Sequence, residues 1–119
     1  MPDTLLDVNL QQVADQELAG TWRVASRVLS QADPTTALAC ATQLQLQPQQ
    51  LVLVLDDSSV VGHWSVERDA LLSRPYLQLS LPEQTTTALV TRLRRSAMSG
   101  QRALTLYFHS GMELQLVQP

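Results

Sequence analysis

The 119-residue chain predicts an α+β fold. A helical N-terminal part precedes a mainly antiparallel five-stranded sheet in the order β-β-β-α-β-β, with helices packed on it. Three observations predict this. Apolar residues recur at helical spacing up to about residue 47. They then run or alternate at strand spacing from Leu51 onward, and Pro, Gly and Asp punctuate the boundaries. One domain over residues 1–119 suits the length, and the apolar fraction of 45% is enough for a core.

The first helical reading runs from Asn9, an N-cap residue type, to Ala32. Leu18, Trp22, Ala25 and Leu29 recur there at i, i+4, i+7 and i+11, and Gly20 leaves open one helix or two over residues 1–32. Asp33-Pro34 then has the form of an N-cap followed by proline at the first helical position. Ala37, Leu38, Ala41 and Leu44 would share one side of that second helix, which ends before Pro48. Leu51 to Leu55 is five consecutive apolar residues, a buried strand. Asp56-Asp57-Ser58-Ser59 is a turn cluster, which as a four-residue loop pairs Leu55 with Val60, Leu53 with Gly62 and Leu51 with Trp64.

Residues 65–73 fit either a strand extension or a short helix. Tyr76 to Leu81 alternates, with Leu77, Leu79 and Leu81 inward. Ser80-Leu81-Pro82-Glu83 has the form of a capping box, which predicts a third helix carrying Leu89, Val90, Leu93 and Ala97 and stopping at Gly100. In the last hairpin a three-residue loop, His109-Ser110-Gly111 with a left-handed Gly, keeps the apolar faces matched. It sets Phe108 against Met112 and Leu104 against Leu116.

Composition narrows the function classes. The net charge is −3, all eight basic residues are Arg, and only 16% of residues are charged. An acidic chain repels phosphate backbones at long range, which disfavours general nucleic-acid binding. Fourteen Gln and ten Thr fill the polar quota instead, and these hydrogen-bond without an ion's desolvation cost. No stretch approaches the ~18 apolar residues of a membrane span. The expectation is a bacterial-type cytoplasmic protein.

No motif for catalysis or metal binding stands out, and no cofactor or metal is implied. His63 and His109 lack a ligand spacing, and Asp56 and Asp57 read as turn residues. Ser58, Ser59 and Ser110 have no nucleophile elbow around them. Cys40 reads as a small buried residue of the Ala-rich stripe, and Trp22 and Trp64 as core. Arg92, Arg94, Arg95 and Arg102 form the single basic cluster, which carries the alternative of a regulatory nucleic-acid-binding domain. A further alternative is a small enzyme assembled from His63, Asp57 and His109.

The sheet face away from the core is the more informative surface. It would carry Val52, Val54, Val61, His63, Gln78, Ser80, Thr105, Tyr107, Gln115 and Val117, with Glu113 as its carboxylate. A solvated sheet face usually carries more charge. This surface therefore points to a non-catalytic protein-binding domain, chaperone-like or an adaptor and dimeric, with a partner protein held on Val52, Val54, Val61, His63, Tyr107 and Gln115 or added at a sheet edge.

The element order in a small acidic chain resembles the class I chaperones of bacterial type III secretion. The residues that carry the likeness lie between Pro34 and Gln118. They are the helix ending Gln43-Leu44-Gln45-Leu46, the strands 51–55 and 76–81, Pro82-Glu83 opening a helix, and the last hairpin. The resemblance implies a dimer that holds a client protein. The chain differs from that family in its extra N-terminal helical region and in ending on a strand.

Overall fold

A computed structural model describes residues 5–28, 37–48, 50–82, 84–108 and 111–118. The α+β expectation does not hold, because the described chain is almost all β. Its strands are β1 (Leu5–Asp7), β2 (Gly20–Val28), β3 (Gln43–Gln47), β4 (Gln50–Val54), β5 (Ser59–Arg68), β6 (Pro75–Ser80), β7 (Thr85–Ser96), β8 (Arg102–Phe108) and β9 (Glu113–Val117). Among the described residues helix is confined to a 3-10 turn at Asp15–Glu17 and one turn, α1 (Ala37–Cys40).

Strands β2 to β9 each pair antiparallel with their neighbour in sequence. The β2–β9 and β7–β8 pairings complete a closed up-and-down barrel of eight strands. The ninth strand, β1, lies outside the ring. Strand β7 is twelve residues long, so β6 covers its first half through Tyr76↔Leu89 to Ser80↔Thr85, and β1 covers its last through Asp7↔Arg94 to Leu5↔Ser96.

All three expected helices are overturned, each for a local reason. In β7 the inward residues are Ala88, Val90 and Leu93, because a bulge between Val90 and Arg92 inserts one extra residue. That bulge turns the strand period of two into a step of three, which imitates a helix stripe. Three successive threonines, Thr85 to Thr87, favour the strand. The helix cap expected at Ser80-Leu81-Pro82-Glu83 is replaced by a tight turn in which Leu81 and Gln84 exchange backbone hydrogen bonds of 2.8 and 3.3 Å, and Glu83 itself lies outside the described residues.

Strand β2 repeats the bulge between Val24 and Ser26, so Trp22 points inward while Ala25, assigned above to the helical stripe, is exposed. The expected second helix shrinks to α1, and its C-terminal part, Gln43-Leu44-Gln45-Leu46-Gln47, is a plain period-two strand. Leu29 and Asp33-Pro34 lie outside the described residues.

The expected strands are present. The last hairpin has the anticipated register, with Leu104 opposite Leu116, Phe108 N–H bonded to Met112 O at 2.8 Å, and Gly111 at φ 95°. The first hairpin is shifted by two residues, pairing Leu51 with Gly62 and Leu53 with Val60. Residues 65–68 extend β5, and Trp64 stands opposite Leu79.

The barrel interior is packed with side chains. Leu44, Leu46, Leu51, Leu53, Leu77, Leu79, Leu104, Leu106, Phe108, Leu114 and Leu116 are each 2% exposed or less, and Trp22 fills the space beside them. Eight strands enclose a bore just wide enough for that. At the end where β2 begins, the segment from Val8 to Leu18 closes the bore with buried Val13 and Leu18. Arg68 holds that segment by donating to the carbonyls of Leu10 and Val13, and Arg102 donates to Glu17 O at 2.8 Å. At the other end α1 inserts Leu38 and Ala39, joined by Ala41, Leu81 and Met112. Arg27 donates to Ala41 O there.

Candidate functional site

With the bore filled, chemistry is left to the outer wall and the rims. The expected partner residues do project outward, but closure separates them. Val52 and Val54 stand on β4 and Tyr107 on β8, four strands apart in a ring of eight, so they face opposite directions. Val61 and His63 on β5 accompany Val52, which pairs with Val61, whereas Gln115 on β9 pairs with Thr105 beside Tyr107. The six residues are thus two surfaces on opposite walls.

The wall around β3 is satisfied by its own side chains. The amide of Gln45 donates to Gln43 Oε1 at 2.9 Å, and that of Gln47 to Gln45 Oε1 at 3.1 Å, a ladder along one face of the strand. The glutamine-rich composition has a structural use here, since amides on alternate residues hydrogen-bond without ions.

The opposite wall differs. Tyr76, Leu89 and Tyr107 are direct cross-strand neighbours on β6, β7 and β8, and Glu113 follows on β9. Leu89 is 48% exposed and Tyr107 43%. An open groove of about 790 Å³ is lined by Thr85, Thr86, Thr87, Leu89 and Tyr107. Adjacent large apolar side chains left in water mark contact surfaces more often than scattered ones do. A helix stripe would carry Leu89 inward with Val90, whereas in β7 it alternates with inward Ala88 and Val90 and so faces outward.

The basic cluster is divided. Arg92 and Arg94 lie on the outer wall, their Nε atoms 3.4 and 3.5 Å from Asp7 Oδ1. Arg95 and Arg102 pair with each other across the β7–β8 rim, where Arg102 is engaged with Glu17. A continuous four-arginine track for a phosphate backbone is therefore not formed.

The catalytic alternative finds no assembled site among the described residues. His63 is exposed on the outer wall, five residues and about 17 Å along the chain from Ser58, the near end of the Asp56–Ser58 turn region. His109 and Ser110 lie outside the described residues. No group of three His, Cys, Asp or Glu residues is placed to hold a metal among those described. Cys40, expected to be buried, is exposed at the end of α1. Trp22 is core as expected, its indole N–H donating to Leu18 O at 2.9 Å, while Trp64 is half-buried and donates to Gln47 O at 2.6 Å.

Among the described residues, Asp69 in the β5–β6 turn has a carboxyl held below its ordinary pKa. Its carboxylate accepts the backbone N–H of Leu72 above all, with Arg74 and Leu71 adding to it, and these bonds hold it below its ordinary value of 3.8. That is a turn-stabilising role. No helix of the described residues is long and apolar enough to cross a membrane. Comparison with protein-family models, curated proteins and solved structures finds no match to this chain.

Proposed function

We propose that the protein is a non-catalytic protein-binding domain, an adaptor or chaperone-like module, whose contact surface is the β6–β8 wall centred on Leu89 and Tyr107. The observation that supports this reading is the pairing of those two exposed side chains beside a groove, on a barrel whose bore is full. A barrel that holds a small ligand ordinarily does so inside, and here the same residues that would line the cavity fill it. An aromatic and a leucine side by side suit the centre of a protein contact.

The test is capture of partners from the native lysate with three forms of the full chain: wild type, Leu89→Asp/Tyr107→Asp, and Val52→Asp/Val54→Asp on the opposite wall. A stoichiometric partner retained by the wild type and the β4 variant but lost with the β7–β8 variant supports the placement. Equal recovery by all three, or no protein partner for the wild type, rules it out.

A further inference from the structure

We infer that β1 is a displaceable occupant of a strand-binding site on the outer wall, and that an acidic extended segment of a partner takes its place with a carboxylate on Arg92 and Arg94. The inference concerns a different surface from the Leu89–Tyr107 groove and holds whether or not that groove binds a partner.

β1 is three residues long, every one exposed, and it pairs with β7 on one side through Leu5↔Ser96, Leu6↔Arg95 and Asp7↔Arg94. So short a pairing buries little, and segments with few buried apolar contacts open locally at small free-energy cost. What gives it specificity is Asp7. One carboxylate oxygen faces the Nε atoms of two arginines, so two positive charges meet a single negative one. Both arginines are partly exposed, at 52% and 34%, and each guanidinium has a further pair of N–H-bearing nitrogens beyond its Nε.

Beside this contact lies a groove of about 300 Å³ bounded by Leu5, Arg92 and Arg94, with Ala103, Thr105 and Gln115 among its lining. The register explains its shape. Arg92 stands opposite Thr105 and Gln115, and Arg94 opposite Ala103 and Val117, so long basic side chains border a strip of small ones. A partner segment that replaces β1 gains the same main-chain ladder on Arg94–Ser96, which is the general mode of strand addition. A second acidic residue on that segment would meet the surplus positive charge that Asp7 leaves. The bulge between Val90 and Arg92 is what brings both arginines to the outer face, because without it their positions would alternate differently with Leu89.

The experiment is an NMR titration of the isotope-labelled full chain with an end-blocked peptide of sequence Thr-Leu-Leu-Asp-Val-Asn, the sequence of residues 4–9. Asp7→Asn in the protein weakens the resident strand, so the peptide should bind that variant about two- to fivefold more tightly than the wild type, the range an exposed ion pair supplies. The shifted amides should be those of Arg94, Arg95 and Ser96. Affinity should fall with added salt, and in Asp7→Asn/Arg92→Gln/Arg94→Gln it should be about four- to twenty-fivefold weaker than in Asp7→Asn, the loss of two such pairs. Equal affinity for wild type and Asp7→Asn, shifts elsewhere, or no binding would overturn the inference. So would a concentration-dependent dimer of Asp7→Asn without peptide, since the site would then serve exchange of β1 between copies.

Discussion

Gly62 offers the sharpest test of the barrel geometry. It occupies an inward position of β5 opposite Leu51, where β5 and β6 curve tightly together. A Cβ built there would lie 2.2 Å from Ser80 O, 3.2 Å from Ser80 C and 3.1 Å from Leu81 Cδ2. Ser80 would have to retreat by about 0.8 Å to reach even 3.0 Å, a separation below which such contacts essentially never occur. The obstacle is backbone, so rotamer change cannot relieve it. Overpacking of this kind costs about 1–3 kcal/mol, and loosening one ladder bond between β5 and β6 adds about 1 kcal/mol. Gly62→Ala should therefore destabilise by about 2–4 kcal/mol. At ~2.1 cal/mol/K per residue, a chain of 119 residues loses about 8–16 °C of Tm for that change. Thermal and urea unfolding followed by circular dichroism would measure it, with Gly100→Ala as the control. Gly100 has φ +76° and nothing within 4 Å of a built Cβ, so its variant meets only the left-handed backbone cost of about 1–2 kcal/mol. If Gly62→Ala is no more destabilising than Gly100→Ala, the close β5–β6 approach is wrong.

Two further predictions concern the closure of the barrel and its hairpin tip. Trp22→Phe removes the N–H that bonds Leu18 O and leaves a small void, so a loss of about 2–4 kcal/mol is expected in urea unfolding; a loss under about 1 kcal/mol would mean the indole bond does not tie the wall to the closing segment. Asp69 has a folded-state pKa below its ordinary value of 3.8, so its contribution to the turn is complete above that value and disappears as pH falls through the lower folded one. The amides of Leu72, Arg74 and Leu71 should lose hydrogen-exchange protection in that acid range, and Asp69→Asn should weaken their protection at neutral pH. Unchanged protection in the variant would show that the carboxylate is dispensable to the turn.

The strands legible in the sequence are the continuous apolar run of β4 and the unbroken alternations of β6, β8 and β9. Tyr76 to Ser80 and the β8–β9 hairpin carry period-two apolar positions, and matching faces across the Gly111 turn was enough to set their register. Strands β2 and β7 imitate helices because each contains a bulge, and in β7 one inserted residue converts 88, 90, 92 into 88, 90, 93. The spacing of two followed by three is shared with a helix face, so periodicity alone does not separate them. Strand β3 alternates cleanly as Gln43-Leu44-Gln45-Leu46-Gln47, yet the Ala-rich residues before it drew it into a helix. Local signals there competed, and the sheet's demand for a partner on β4 prevailed.

The same error explains what happened to the candidate surface. Outward direction is a local property, and strand alternation is enough to show it at Val52, Val54, Val61, His63, Tyr107 and Gln115. Adjacency is not local, because it depends on how many strands stand between two positions. With five strands those residues share one open face; with eight in a closed ring, β4 and β8 are opposite. Closure also changes the meaning of the low charge. The β3 glutamines satisfy one another, so their wall needs no partner to explain it. The Thr87 hydroxyl on β7 likewise donates to Gln78 Oε1 at 3.2 Å, which accounts for polar groups even beside Leu89. What the ladder of amides leaves unexplained is the pair Leu89 and Tyr107, apolar bulk held in water by plain alternation, next to a bulge that turns Arg92 and Arg94 outward on the same wall. By absorbing one extra residue, the bulge keeps the basic surface beside the apolar one. Were β7 to run without it, Arg92 and Arg94 would turn toward the bore, while Leu89, held by its pairing with Tyr76, would stay outward.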